Sequence, residues 1–188
     1  MANCFFIGHR DAPEAIRPRL AEAVERHIAE YGVTTFVVGH YGAFDRMAAA
    51  AVRNAKKRHP EVTLTLLLSY YPYRDWEEVA SAYDGSLYPE GLETVPKPFA
   101  IVRANRYMIG RSDFLICYNR GFAGNTQKIV DMALRREARG QMRVVNLAAA
   151  TEPSAPVRFG LGKVILTDPA DFDRWDAEIA DMFEEAQP

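Results

Sequence analysis

Four short apolar runs in this chain each end on a cluster of glycine, basic, hydroxyl or aromatic residues. The first run stops at Gly8-His9-Arg10, the second at Gly39-His40-Tyr41-Gly42-Ala43-Phe44-Asp45-Arg46. The third stops at Ser69-Tyr70-Tyr71-Pro72, the fourth at Asn119-Arg120-Gly121-Phe122-Ala123-Gly124-Asn125-Thr126. Glycine at a strand-to-helix turn lets the backbone come close to an anion, and the N–H groups opening the helix point at it. Gly121, Gly124, Asn125 and Thr126 fit such a phosphate cradle; a turn in which Asn125 or Thr126 only caps its helix is the plain alternative. The Gly39-xx-Gly42-xx-Asp45 turn is a second candidate, with Asp45 holding a ribose hydroxyl or capping the helix. Neither turn has the spacing of the dinucleotide fingerprint or the lysine of the Walker loop.

Other side chains at these ends add chemistry. Arg10 could grip phosphate or carboxylate with two parallel hydrogen bonds, or pair with Asp11 or Asp113. His9 and His40 occupy equivalent places on two strands, which suits acid–base work or simple hydrogen bonding. Arg103 and Arg106, with Asn105 between them, precede a helical pattern at Tyr107-Met108-Ile109 and face either the pocket or solvent. Tyr71 and Tyr118 could stack on a base or fill the core.

The elements that must position these groups alternate between strand and helix patterns, which is the signature of a parallel sheet covered on both faces. Cys4–Ile7, Thr34–Val38, Val62–Leu68, Phe114–Tyr118 and Arg143–Leu147 read as strands. The third, apolar on both faces, is expected at the centre of the sheet. Helices are expected over about Pro13–Tyr31, with Pro18 as a kink or a late start, and around Phe44–Ala55 and Asn125–Arg139. The fold expected is α/β: a Rossmann-like, three-layer, doubly wound sheet, mostly parallel, with at least five strands. Between the third and fourth strands lie about 45 residues, Ser69 to Asp113, more than a crossover needs. The excess from Tyr70 to Lys97 reads as a short helix near Asp75–Ala82 and a loop, serving as decoration, lid or partner contact. One domain is expected over 1–188, with its core at about 3–148. A linker, an edge strand at Lys163–Leu166 and a helix at about Pro169–Phe183 follow.

Composition narrows the classes. At 188 residues with 48% hydrophobic and 26% charged residues, the chain can bury roughly 70% of its unfolded surface without metal or disulfide staples. Lys and Arg number 23 against 25 Asp and Glu, so nucleic acid is not the partner this charge favours. No run is long enough for a membrane span. The N-terminus reads as a buried strand rather than a signal peptide. Cys4 and Cys117 sit in core strands as reduced thiols, which implies a cytoplasmic protein, and no Cys or His pair has metal-ligand spacing.

Gly8-His9-Arg10, Gly39-xx-Gly42-xx-Asp45-xx-Ala48, and the segment from Arg106 to Tyr118 together resemble the SLOG superfamily. This is the Rossmann-like grouping named for the DNA-processing protein DprA (Smf) and the lonely-guy phosphoribohydrolases. Tyr88 to Ala100 is similar to its YspA/YpsA-like bacterial branch, and the resemblance covers about Asn3 to Ala148. It implies a nucleotide or nucleotide-derived ligand at the glycine turns. The lonely-guy enzymes place a catalytic glutamate where this chain has Ile129, and an oxocarbenium-like transition state needs a carboxylate.

Three functions follow as expectations. The first is a nucleotide-binding sensor with no certain cofactor. The second is a nucleoside-monophosphate N-glycosidase using Asp45, with Arg103 or Arg106 for positioning. The third is an interaction module working through residues 70–97. A homodimer is expected by analogy.

Overall fold

In the computed structural model, residues 2–70, 79 and 81–148 are described. Strands β1 (Ala2–Gly8), β2 (Val33–Val38), β3 (Thr63–Leu67), β4 (Gly85–Leu87), β5 (Phe114–Tyr118) and β6 (Arg143–Asn146) form one sheet. Its order is β4-β3-β2-β1-β5-β6, and every pairing is parallel. The helices are α1 (Arg17–Tyr31), α2 (Ala43–Lys56), α3 (Lys97–Arg111) and α4 (Asn125–Glu137). This is the three-layer, Rossmann-like architecture that the alternation predicts.

Strand β1 explains the layering. Its side chains alternate, and both faces are apolar, so each must be covered. Cys4 and Phe6 join Leu20, Val24, Met47 and Val52, which belong to α1 and α2. Phe5 and Ile7 join Ala104, Met108, Ile129 and Val130, which belong to α3 and α4. The chain therefore starts at mid-sheet, steps outward to β4, then returns to lay β5 on the other side of β1. That reversal opens a crevice at the carboxyl ends of the strands, where doubly wound sheets bind ligands. Gly8 is in register with Tyr118, so β1 and β5 end level at that crevice.

Local chemistry sets the boundaries. Pro18 is the second residue of α1, where a missing N–H costs nothing, so the helix begins at Arg17 after a short 3-10 turn rather than kinking. Gly32 ends it in the left-handed conformation, φ 63°. The helical pattern at Tyr107–Ile109 extends back to Lys97, again with a proline, Pro98, in its first turn. Strand β4 has no apolar run to announce it. It adds to the sheet through Thr65↔Gly85 and Leu67↔Leu87, so β3 lies next to the edge and not at the centre. The apolar pattern of β3 reflects its two covered faces, which a penultimate strand also has. The expected short helix near 75–82 falls mostly outside the described residues. The linker, the strand at 163–166 and the helix at 169–183 fall wholly outside them.

Cys4 and Cys117 are free and buried. Burial pushes the Cys117 thiol up to about 12 and raises Cys4 as well, so both stay neutral. Among the described residues no helix is long and apolar enough to cross a membrane.

Gly8 shows how tightly β1 meets α2. A Cβ built there would lie 2.4 Å from Cγ of Phe44, whose ring also packs edge-on to Phe6 and stacks on Tyr118. Overpacking a core site costs about 1–3 kcal/mol. Gly8→Ala is expected to cost the upper part of that range in urea denaturation, and Phe44→Leu in the same chain should recover at least about 1 kcal/mol of it. Strictly additive costs would mean that this contact is not why the position is glycine.

Candidate functional site

At the carboxyl ends of β1, β2 and β3 lies a cleft of about 240 Å³. Gly8 and Arg10 border it from the first turn, Gly39, Gly42 and Asp45 from the second, and Ser69 from the third. Asn125 and Thr126 of α4 close one side. Ile101, Val102 and Asn105 of α3 supply another, largely apolar wall. Residues from five separate crossovers thus converge.

The first two turns are held by direct backbone contact. The Ala43 N–H donates to the Arg10 carbonyl at 2.9 Å, and a Cβ on Gly42 would stand 3.0 Å from Cα of Arg10. Gly42 is therefore needed for the approach of a neighbouring backbone, as Gly8 is for the Phe44 ring. Its tight fit fixes where Arg10 leaves the main chain. The Arg10 side chain is exposed on the cleft and makes no ion pair among the described residues. The expected acids are engaged elsewhere: Asp11 binds Arg120 at 2.7 Å, and Asp113 accepts the Asn3 N–H at 2.9 Å.

Asp45 is the third residue of α2 and reaches back over its start. Its Oδ2 accepts the Tyr41 N–H at 2.9 Å, and a Cβ on Gly39 would come within 3.0 Å of the same oxygen. Burial pushes this carboxyl up to about 6, although the Tyr41 and Gly42 amides and Arg46 favour its charged form. The desolvation is the larger effect. Asp45 thus holds the amide of Tyr41 just ahead of α2, whose N-cap Gly42 has no side-chain cap bond, and is a carboxyl poised to exchange a proton near neutrality.

The turn after β5 divides into two parts. Gly121 takes φ +81°, and its N–H donates to Oδ1 of Asn119 at 3.2 Å, so it is a turn residue with its donor already used. Buried Asn119 also donates to Gln127 Oε1 at 2.8 Å, and Asn146 donates to the Asn119 carbonyl at 2.9 Å. These bonds fix the start of α4. Gly124 caps that helix without a side chain, and the first intrahelical bond is Lys128 N–H to Gly124 carbonyl. The helix offers no acceptor to the amides of 125–127, which leaves them as donors beside the cleft.

The remaining expected residues lie off the cleft. Nε2 of His9 accepts the Arg120 N–H at 3.1 Å, which places the proton of the neutral ring on Nδ1 and ties the β1 and β5 turns together. His40 packs against Tyr41 with ring centres 4.1 Å apart, and burial holds it below the usual histidine range. Arg103 and Arg106 share a surface groove with Glu90 and Arg111, and Arg106 also borders a second one beside Lys128 and Arg135. Tyr118 is buried against Phe44, and Tyr71 lies outside the described residues. Ser69, Tyr41 and the α3 wall are additional lining groups. Ser69 follows a core strand, so the strand-end rule points to it, whereas the start of α3 is hidden in sequence by its prolines. Among the described residues no group of His, Cys, Asp and Glu could hold a metal ion.

No family model and no curated protein matches the chain. A solved structure of a probable mandelate racemase from Alicyclobacillus acidocaldarius aligns with a TM-score of 0.31 and 15% identity. The alignment covers 76% of this chain and 41% of that one, so the chain spans less than half of that protein's length.

The raised Asp45 pKa has a measurable consequence. A carboxyl whose pKa is higher folded than unfolded favours the fold while protonated, and that advantage is lost as pH rises from about 4 to about 6. Asn in its place keeps an acceptor for Tyr41 and has no charge to bury. Asp45→Asn should therefore gain stability over wild type across this window, reaching roughly 2–3 kcal/mol by pH 8. His27 and His40, whose pKa values burial lowers, are the same in both proteins and cancel in the difference. A difference in urea denaturation that is flat with pH would show that Asp45 ionises normally.

Proposed function

We propose that the cleft binds a nucleotide or a nucleotide-derived anion and that the protein acts as a sensor of that ligand. The observation that carries this proposal is a pairing. The Arg10 guanidinium, without an acid partner among the described residues, and the side-chain-free N-terminus of α4 border the same small cleft. A phosphate there would meet a two-pronged cation and a helix end that favours negative charge. The Thr126 hydroxyl and the Asn125 amide add donors at hydrogen-bonding height. The resemblance to SLOG proteins supports the same ligand class.

Gly124→Asp separates binding from folding. A Cβ at Gly124 meets nothing within 4 Å, and aspartate is a favoured helix cap, so stability should hold or rise by up to about 1 kcal/mol. The same carboxylate would stand where the ligand phosphate sits. Calorimetry with the preferred nucleoside monophosphate should show at least about a tenfold loss of affinity, one charge-assisted interaction's worth. Unchanged affinity in a folded variant would remove the phosphate from this turn.

A second function is favoured by Asp45. A carboxyl raised to about 6 on the cleft wall can protonate a leaving base and then accept a proton from water, the roles that N-glycosidic hydrolysis needs. Ile129, at the position of the lonely-guy glutamate, is buried in the core. Arg103 and Arg106 open elsewhere, so Arg10 would position the phosphate. Incubation with the common nucleotides distinguishes the two functions by chromatography. Free base released with turnover, and lost in Asp45→Asn, makes the protein a hydrolase; intact nucleotide leaves it a sensor.

A further inference from the structure

The cleft is too small for the ligand proposed for it. Sites that enclose whole small molecules run to roughly 300–1,000 Å³, and the cleft offers about 240 Å³. That is room for a phosphate and part of a sugar. A second, larger pocket of about 680 Å³ lies next to it and shares Ser69 as a wall. Its character is different. Tyr70 and Tyr88 provide aromatic faces, Leu92 and Ala100 form a buried apolar floor, and Glu93 and Lys97 stand exposed at the rim. The grooves beside Arg103 and Arg106 are charged and lack such a floor.

The boundary between cleft and pocket is built. Tyr41 lines the cleft, Tyr70 lines the pocket, and their rings meet edge to face with centres 6.0 Å apart. The Tyr70 hydroxyl donates to the Lys97 carbonyl at 3.0 Å, which ties the ring to the start of α3. Two faces of α3's first turn thus serve different spaces, Lys97 and Ala100 the pocket, Pro98 and Ile101 the cleft. A flat ring entering the pocket would find an aromatic face, an apolar floor, and one carboxylate and one ammonium for its polar edge. Glu93 and Lys97 make no ion pair among the described residues, so both are available to it.

We infer that this pocket receives the nucleobase of the ligand whose phosphate occupies the cleft, with Tyr70 as its stacking surface and Glu93 and Lys97 reading its edge. The inference rests on the nucleotide function proposed above and makes the site bipartite. It assigns the discrimination among nucleotides to the pocket and the affinity for phosphate to the cleft.

Calorimetry with ribose phosphate, the four common nucleoside monophosphates and their nucleosides tests it. At least one nucleoside monophosphate should bind about tenfold or more tighter than ribose phosphate, the worth of one stacked base. Tyr70→Leu should remove most of that advantage while leaving ribose phosphate affinity within about twofold. Tyr70→Phe, which keeps the ring and loses only the bond to Lys97, should retain it. If ribose phosphate binds as well as every nucleotide, or if Tyr70→Leu weakens both equally, the base is not in this pocket and the cleft assignment stands alone. If neither ribose phosphate nor any nucleotide binds, the nucleotide function fails and this inference with it.

Discussion

The site depends on one close approach, that of the turn after β1 to the first turn of α2. Three contacts define it: the Phe44 ring over Gly8, the Arg10 backbone against Gly42, and the Ala43 N–H on the Arg10 carbonyl. Neither glycine tolerates a side chain without a shift. Together they hold the two crossovers in van der Waals contact, so that Arg10 and Asp45 border one cleft. Dense packing makes this arrangement stiff, since a core cannot absorb even a methylene without cost. Glycine here is a spacer between protein groups first, whereas a Cβ at Gly121 or Gly124 in the turn after β5 would meet nothing within 4 Å.

Most of the layering is legible in the sequence because burial on both faces forces apolar residues to run without interruption, as in Cys4–Ile7 and Phe114–Tyr118. The stops are legible too, since Gly8, Gly39 and Asn119 interrupt those runs where the sheet ends. β4 is not, because a three-residue edge strand carries no hydrophobic run; its place is set by hydrogen bonds to β3. The centrality of β3 is misjudged for a related reason: two covered faces mark a strand as internal without saying how far from the edge it lies. Within the site, glycine spacing picks out turns that border the cleft at Gly8, Gly39 and Gly42 but does not show that Gly8 meets a ring and Gly42 a neighbouring backbone. His9 illustrates the limit, since a histidine at a strand end can serve a neighbouring amide as readily as a substrate.

Electrostatics gives the cleft its asymmetry. Its lining includes a guanidinium and a helix N-terminus, both favourable to anions. It also includes Asp45, whose burial resists ionisation. A neutral Asp45 would donate a hydrogen bond to a ligand oxygen, and an ionised one would repel phosphate. Binding of the proposed anionic ligand and Asp45 protonation would therefore be coupled, each favouring the other by thermodynamic reciprocity. The same carboxyl can serve a sensor as a donor or a hydrolase as an acid, which is why the two functions share residues and differ only in outcome.

Native mass spectrometry of freshly purified protein, beside an Arg10→Glu variant, tests the central claim most directly. The wild-type chain should carry an adduct that dissociates as a phosphorylated nucleoside or a derivative of one, and the variant should carry none. A wild-type chain that stays bare even after incubation with millimolar nucleoside monophosphates would contradict the account. So would an adduct without an anionic group that Arg10→Glu retains.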